Sequence, residues 1–548
     1  MMRNTRVSPL ASFGSLAVLA ILALAGCTDT ETVYVDREPF NPPPDSTNGF
    51  LGYYSAEDKL TTCGNCHVTF QGQWEETAHA DAYNSLVNSG SAQDACYSCH
   101  TVSENGNEVG AIPASGGWNV VEDEAYHDVQ CESCHGPGLE HVEAPDAGTE
   151  PLAHAGMATQ AASCAACHSG EHQPFAEQWA ETGHADLEAN EEPGTNVSSG
   201  CVSCHEGKVA LRRFAGDDPD FVEKSTGERF PPAVCTTCHD PHGSPNSKML
   251  RAPIDVPELT VNLCMQCHFR GTKPGGSFSN STATTTKRGA HAAQGAVLLG
   301  EQAGYIPRGF VYDTNAVHTT HASTANPRLC AGCHVSRFTV EDENGFVFQS
   351  TGHLFQPDPC LDAEGLPVKD NSCEYTSTAR NWSSCTASGC HASADVAVSL
   401  FLNQRQNVQN LVDQLWTDDG TLNTGGEPYM DPATDTGDLV TVLAANPTVD
   451  GIQAFNANDT TVSPAEGALW NAMMLAEHLY DHNDGSKGVH NPFFYEALLA
   501  ASIQEVQDVY AAVLPAAPSP TVKALMEKAL SRPGVRYISG QVKISAAR

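Results

Sequence analysis

Apolar residues recur with helical spacing only beyond about Val396. Four stretches carry this period: Asn407–Thr417, Pro464–Asp481, Pro492–Leu514 and Thr521–Ser531. They predict a helical C-terminal domain over residues 400–548. The preceding part, from about Tyr53 to Ser399, is expected to form short helices and irregular segments with little β-structure.

One apolar stretch near the start has a different meaning. It runs from about Leu10 to Ala25, follows the cations Arg3 and Arg6, and is too short for a membrane-spanning helix. It ends in Leu-Ala-Gly-Cys27, which resembles the lipobox of bacterial lipoproteins. The resemblance implies a signal peptide over 1–26 and a lipid on Cys27, followed by a flexible tether over 27–52. An ordinary cleaved signal with an unrelated cysteine is the alternative.

Composition leaves the interior short of apolar side chains. Hydrophobic residues make up 40% of the 548 residues and aromatic residues 7%. The 66 acidic and 28 basic side chains give a formal charge of −38, which disfavours nucleic acid and anionic lipid as partners. Something other than side chains is therefore expected to fill the core.

The 21 cysteines indicate what that filling is. Eight Cys-x-x-Cys pairs are each followed directly by histidine, which is the haem c attachment signature. Zinc sites and thioredoxin-like motifs also use paired cysteines, but neither requires a histidine after every pair. The predicted attachment residues are Cys63, Cys66 and His67; Cys96, Cys99 and His100; Cys131, Cys134 and His135; Cys164, Cys167 and His168; Cys201, Cys204 and His205; Cys235, Cys238 and His239; Cys264, Cys267 and His268; and Cys330, Cys333 and His334.

A ninth attachment site is predicted at Cys385, Cys390 and His391. Four residues separate these cysteines, and the segment resembles the expanded motif of some multihaem cytochromes. A local disulfide is the alternative. Cys360 and Cys373 remain, and because they bracket a loop in an oxidising compartment we expect them to form a disulfide.

An internal duplication identifies the first axial ligands. The segment Gln-Trp-Glu-Glu-Thr-Ala-His79-Ala-Asp recurs as Gln-Trp-Ala-Glu-Thr-Gly-His184-Ala-Asp, so two triple-haem units are predicted over 53–160 and 161–260. A third haem section with three haems covers 261–399. An electron-carrying haem needs a second axial ligand, and the repeated context favours His79 and His184 for that role.

Further ligands follow from resemblance and from counting. The strings around His141 and His242 are similar to motifs of the hydroxylamine oxidoreductase and octahaem tetrathionate reductase group, where the later histidine ligates a neighbouring haem. The segment from Asp484 through His490-Asn-Pro resembles the end of pentahaem nitrite reductases, which implies a distal role for His490. Fourteen histidines lie outside the attachment motifs. The preferred distal set is His79, His127, His141, His184, His242, His291, His318, His353 and His490, with His154, His172, His321, His478 and His482 in reserve, and His318 is not ranked against His321.

Together these features predict a mainly α and irregular, haem-packed multihaem cytochrome with nine covalent haems c. The expected role is electron transfer without catalysis, from a lipoprotein at the outer membrane or cell surface, on its periplasmic or extracellular side. Other cytochromes, metal oxides, electrodes or soluble shuttles are the expected partners, and a homopolymer or filament is left open. The alternative is a reductase of nitrite, hydroxylamine or a sulfur oxyanion at one open haem. It is disfavoured because every attachment motif ends in histidine and no cysteine is left to ligate iron.

Overall fold

The computed structural model places the described residues in one unit of the chain, residues 45–548. It describes residues 48–102, 116–151, 164–170, 172–185, 204–207, 210, 214, 232–255, 261–269, 290–341, 347–421, 430–445, 462–476, 484–514 and 517–539. The predicted lipid site Cys27, the attachment residue Cys201 and the reserve ligands His154, His478 and His482 lie outside the described residues. None of the described helices is both long enough and apolar enough to cross a bilayer.

Short helices and single helical turns make up the part of the chain that carries the attachment motifs. The α-helices are α1 (Val68–Glu75), α2 (Ala82–Asn88), α3 (Asp94–His100), α4 (Cys131–His135), α5 (Leu139–Glu143), α6 (Phe175–Ala180), α7 (Cys235–Cys238), α8 (Gln294–Leu299), α9 (Thr314–Val317), α10 (Cys330–His334) and α11 (Ser383–Thr386). Single 3₁₀ turns cover Cys63–Asn65, Ala78–Asp81, Gly117–Asn119, Glu124–Tyr126, Ser247–Met249, Cys264–Gln266, Thr320–Ala322 and Ala387–Gly389.

Strands are few and form only two-stranded antiparallel pairs in the described chain. They are β1 (Tyr53–Ser55) with β2 (Leu60–Thr61), β3 (Phe310–Tyr312) with β8 (Val535–Tyr537), β4 (Phe338–Glu341) with β5 (Val347–Ser350), and β6 (Cys360–Leu361) with β7 (Pro367–Val368). Cys360 is disulfide-bonded to Cys373, as predicted. The mainly helical and irregular fold class is thereby confirmed.

Longer helices follow the last attachment motif. They are α12 (Ala394–Leu415), α13 (Asp438–Ala445), α14 (Pro464–Leu475), α15 (Pro492–Tyr510) and α16 (Pro520–Leu530). Helices α14 and α15 begin at the predicted prolines, each capped by the preceding residue: Ser463 accepts from the Glu466 N–H, and Asn491 from the Phe494 N–H. Helix α12 begins earlier than predicted because Ser393 caps it.

The main apolar core surrounds α15, which packs against α12, α14 and α16. Residues before the C-terminal helices also enter this core, among them Ala296 and Val297 of α8 and Val317 of α9. Buried Asn471 of α14 ties them in, because its side chain bonds both the N–H and the carbonyl of Tyr305. The apolar clusters around the first attachment motifs are much smaller.

Candidate haem centres

The attachment motifs share one local geometry, and we number them site 1 to site 9 in chain order. Most of the described motifs lie on a single helical turn, which places residues three apart on the same face. In several, the backbone N–H of the histidine donates to the carbonyl of the first cysteine, for example His67 to Cys63 at 2.9 Å and His268 to Cys264 at 2.9 Å. This turn presents two sulfur atoms and one imidazole together.

Site 9 closes in the same way despite its two extra residues. The N–H of His391 donates to the carbonyl of Cys385 at 3.1 Å. Gly389 takes a φ of +77°, and a Cβ there would meet no atom within 4 Å. The insert therefore bulges into open space, while the motif's two ends keep the separation seen in the shorter motifs.

Attachment histidines face second histidines at a nearly constant spacing. An iron atom bound by two imidazoles at about 2 Å, with each ring centre about 1 Å beyond its nitrogen, separates the ring centroids by about 6 Å. Eight pairs in the described chain have centroids 5.9–6.4 Å apart. The pairs are His67 with His141, His135 with His242, His168 with His79, His205 with His291, His239 with His353, His268 with His184, His334 with His490, and His391 with His321.

The duplicated histidines reach forward to the next unit. His79, from the first unit, pairs with the attachment histidine of site 4, and His184, from the second, pairs with that of site 7. The surrounding repeat is equally regular: the Trp74 indole donates to the Val129 carbonyl at 2.8 Å, and that of Trp179 to Ala233 at 2.9 Å. In each case the acceptor lies two residues before the unit's third motif.

Three predicted or reserve ligands take no part in these pairs. His127 forms a backbone bridge with Thr101, next to His100 of site 2, but its ring stacks on Tyr83 with centroids 3.5 Å apart. His318 has a buried Nε2 atom with no hydrogen-bond partner among the described residues, and His172 is exposed. No described histidine ring pairs with His100.

Hydrogen bonds at Nδ1 orient the imidazoles and leave Nε2 for a metal. Most acceptors are neutral oxygens: Ala82 O for His100, Pro151 O for His135, Gln173 Oε1 for His168, Lys248 O for His239, Val489 O for His321 and Phe355 O for His334, at 2.8–3.0 Å. His490 differs, because its Nδ1 lies 2.7 Å from the carboxylate of Asp484.

Burial keeps many of these imidazoles neutral, the form that binds a metal. It lowers the pKa of His79, His184, His334 and His353 to about 4, with a smaller contribution from a neighbouring histidine in each case. Burial also lowers the pKa of His490, but the charge and hydrogen bond of Asp484 outweigh it, so that pKa is raised overall.

Contacts between cysteines show which sites are neighbours. Hydrogen-bonded thiols join Cys63 to Cys131 (sites 1 and 3), Cys99 to Cys167 (sites 2 and 4), Cys164 to Cys235 (sites 4 and 6) and Cys264 to Cys330 (sites 7 and 8). The contact between sites 1 and 3 in the first unit thus recurs between sites 4 and 6 in the second.

Charge effects supply the remaining links. The hydrogen bond with Cys235 makes the largest contribution to the raised pKa of Cys164, and the charge of Cys134 in site 3 adds to it. In the same way, the hydrogen bond with Cys330 contributes most to the raised pKa of Cys264, and the charge of Cys238 in site 6 adds to it. Burial and then the site 9 cysteines raise the pKa of Cys333 to about 12. Burial lowers the pKa of His268 and nearby Cys204 opposes this, which places site 5 beside site 7. The sites therefore follow the order 1, 3, 4, 6, 7, 8, 9, with site 2 beside site 4 and site 5 beside site 7.

Comparison with known proteins agrees with this geometry. A family model described as cytochrome c554 and c-prime matches residues 62–136, and a doubled CXXCH motif model matches residues 231–272. Multiheme cytochrome MtrA of Shewanella baltica is 27% identical over 261 residues, which cover 44% of this chain and 66% of that protein. C-type polyheme cytochrome OmcB of Geobacter sulfurreducens is 27% identical over 270 residues, or 44% of this chain and 32% of that protein. No solved structure matches the chain.

This protein is a multihaem c-type cytochrome. The chain spans less than two thirds of the length of the relatives it matches. The names of these relatives describe cytochromes and no enzymatic activity, which agrees with the predicted non-enzymatic role.

The interior of the cytochrome suits covalent haem. A continuous cavity of about 3780 Å³ is lined by cysteines and histidines of sites 2 to 9. Small-molecule pockets usually measure about 300–1,000 Å³, so this cavity has room for several large groups. At each site the cysteines would hold the porphyrin by thioether bonds, and at the eight paired sites the two histidines would ligate its iron. The bound haem supplies a one-electron iron couple.

Two features of the cytochrome's site were missed by sequence reasoning. His321, held only in reserve, is the histidine brought to His391, because the carbonyl of Val489 orients its Nδ1 from a distant segment. Asp484 was given no role, although it lies only six residues before His490 and a carboxylate can orient a histidine ligand through Nδ1.

Proposed function

We propose that this cytochrome is an electron conduit with nine covalent haems, ligated by two histidines at the eight paired sites, that passes electrons to an extracellular acceptor or a partner cytochrome. The observation that carries the proposal is the set of eight histidine pairs whose ring centroids lie 5.9–6.4 Å apart, the spacing of two imidazoles on one iron. An electron conduit needs many such pairs, whereas a single-site enzyme does not.

The paired histidines support this role over catalysis. With both axial positions filled, iron can exchange electrons but has no position for a substrate. Two of the second imidazoles, those of His321 and His490, are held by hydrogen bonds at Nδ1, so they are fixed in place before any electron arrives. Little reorganisation would then accompany transfer at these two sites.

The proposal includes a location and partners. A lipid on Cys27 would hold the cytochrome at the outer membrane or cell surface, where metal oxides, electrodes, shuttles or other cytochromes would accept its electrons. An assembly of several copies would extend the same path, and light scattering on the purified protein measures that directly.

The central experiment measures haem number and spin state in the full chain, expressed in a host that matures c-type cytochromes. Intact mass is expected to show nine haem additions, falling to eight when Cys385 and Cys390 are replaced by alanine. The matched control replaces Cys360 and Cys373, which lie outside every motif, and should keep nine. A colourless protein, or one that binds zinc instead of iron, would overturn the proposal.

Kinetics then separate conduit from reductase. The reduced protein should be reoxidised by an insoluble iron oxide, and the oxidised protein should show low-spin iron at the eight paired sites by electron paramagnetic resonance. A high-spin ferric signal from one haem, together with turnover of nitrite, hydroxylamine or a sulfur oxyanion, would instead favour the reductase. Site 2 is where we would look for that haem, since its His100 pairs with no described histidine.

A further inference from the structure

One histidine of the site 8 pair has a carboxylate at its Nδ1 atom. The Nδ1 atom of His490 lies 2.7 Å from Asp484 Oδ1, whereas six other described histidines place Nδ1 2.8–3.0 Å from a neutral oxygen. At site 3, Asp240 stands 3.7 Å from the Nδ1 of His242, beyond hydrogen-bonding distance.

The charge of Asp484 is shielded from water. Its side chain is 0% exposed, and its second oxygen accepts hydrogen bonds from the hydroxyls of Ser486 and Tyr495. The next cation along the chain, Lys487, lies over the ring of Tyr375 and contacts its hydroxyl. A buried charge acts through a low dielectric, so its effect on a nearby iron is much larger than that of a surface carboxylate.

A carboxylate on the Nδ1 proton makes an axial histidine a stronger electron donor. Stronger donation favours ferric over ferrous iron and lowers the reduction potential. We propose that Asp484 is a positioning residue that lowers the reduction potential of the haem at site 8. The inference rests on His490 ligating a haem, which is part of the proposed function.

This setting has a consequence for the conduit because site 8 lies between sites 7 and 9. An electron moving along the series would have to pass through a site of lowered potential just before the last one. Asp484 would therefore control how readily site 9 is supplied.

The test is Asp484→Asn in the full haem-loaded protein, followed by redox titration of the absorbance. Asparagine has nearly the same shape and still accepts the Nδ1 proton, but it removes the charge. The reduction potential of one haem is expected to rise by at least about 59 mV. For a one-electron couple this is a tenfold change in the ratio of oxidised to reduced haem at a given potential. Asp240→Asn is the matched control, and a much smaller shift is expected because Asp240 is partly exposed and paired with Arg251.

A second variant should shift the potential in the opposite direction. Tyr495→Phe removes one hydrogen bond from Asp484 and leaves more negative charge facing His490. The same haem should then move to more negative potential, which structural damage common to both variants would not produce. The proposal is overturned if haem-replete Asp484→Asn titrates like wild type, or if both variants shift in the same direction. Intact mass distinguishes that outcome from failure of the conduit proposal, which would show as missing haems.

Discussion

Replacing His79 with alanine should remove an axial ligand from site 4 and leave site 1 intact. The site 1 motif is nearer in sequence, so a local interpretation would assign His79 to site 1. The structure instead places its ring 6.2 Å from that of His168, the attachment histidine of site 4. The change therefore tests whether the units are joined through their ligands.

The expected size of the effect is one iron. With nine haems, roughly a ninth of the ferric iron should change from low-spin to high-spin, because one imidazole no longer reaches its metal. The fold should persist: the backbone carbonyl of His79 still accepts from Val129 N–H at 3.1 Å. Burial already lowers the pKa of His79 to about 4, so the substitution removes a neutral group and leaves no unpaired charge.

The assay is electron paramagnetic resonance on the oxidised protein, combined with removal of whole haems. In the His79→Ala background, replacing Cys164 and Cys167 removes the haem of site 4, and the high-spin signal should disappear with it. Replacing Cys63 and Cys66 removes the haem of site 1 and should leave that signal. His172→Ala, at an exposed histidine outside every pair, is the control and should show no high-spin iron beyond that of the wild type.

The opposite pattern would refute the reasoning. If the high-spin signal vanishes when site 1 is removed and persists when site 4 is removed, His79 ligates within its own unit. A fully low-spin His79→Ala protein would show that His79 is not a ligand.

Three further predictions concern stability, measured by denaturant unfolding. Burial raises the pKa of the Glu132 carboxyl to about 7, and hydrogen bonds from three backbone N–H groups offset this only in part. Between pH 4.5 and 7 the carboxyl is therefore ionised in the unfolded chain but protonated in the folded one. Stability should fall across that window by up to about 3 kcal/mol, and Glu132→Gln should remove that part of the slope; parallel slopes would contradict this. Replacing Cys360 and Cys373 with serine should cost about 3 kcal/mol through the short loop they close, and equal stability would mean that the disulfide does not form. Asn471→Leu should cost about 3 kcal/mol because it leaves buried backbone and hydroxyl groups without partners, and a neutral effect would argue against that network.

Local patterns in the sequence were sufficient for the fold class and for much of the C-terminal helical region. Helices α14 and α15 begin at Pro464 and Pro492 as predicted, because a capping side chain and a proline at the first turn act within a few residues. Helix α12 was predicted too short. Its first half leaves Val396 and Leu400 exposed, so the apolar period that marks a core-facing helix is weak there.

Ligand assignment could be predicted only in part. The duplication identified His79 and His184 as candidates, but not the sites they serve, since those depend on how the units dock. His318 and His321 lie three residues apart and differ little in local sequence. What separates them is the Val489 carbonyl at 2.8 Å from His321 Nδ1, a contact made across the fold. No local pattern contains that information.

The direction of the paired histidines explains how so acidic a chain with so few apolar residues holds together. Paired histidines reach forward from the first unit to site 4 and from the second to site 7, and backward from His242 to site 3 and from His353 to site 6. Each iron would thus join segments far apart in sequence, and metal ligation of this kind adds its binding free energy to folding. The C-terminal helices have a large apolar core of their own, whereas the first unit has only small clusters. In the haem-bearing region the ligands and porphyrins would therefore replace the conventional core, so electron transfer and folding would depend on the same contacts.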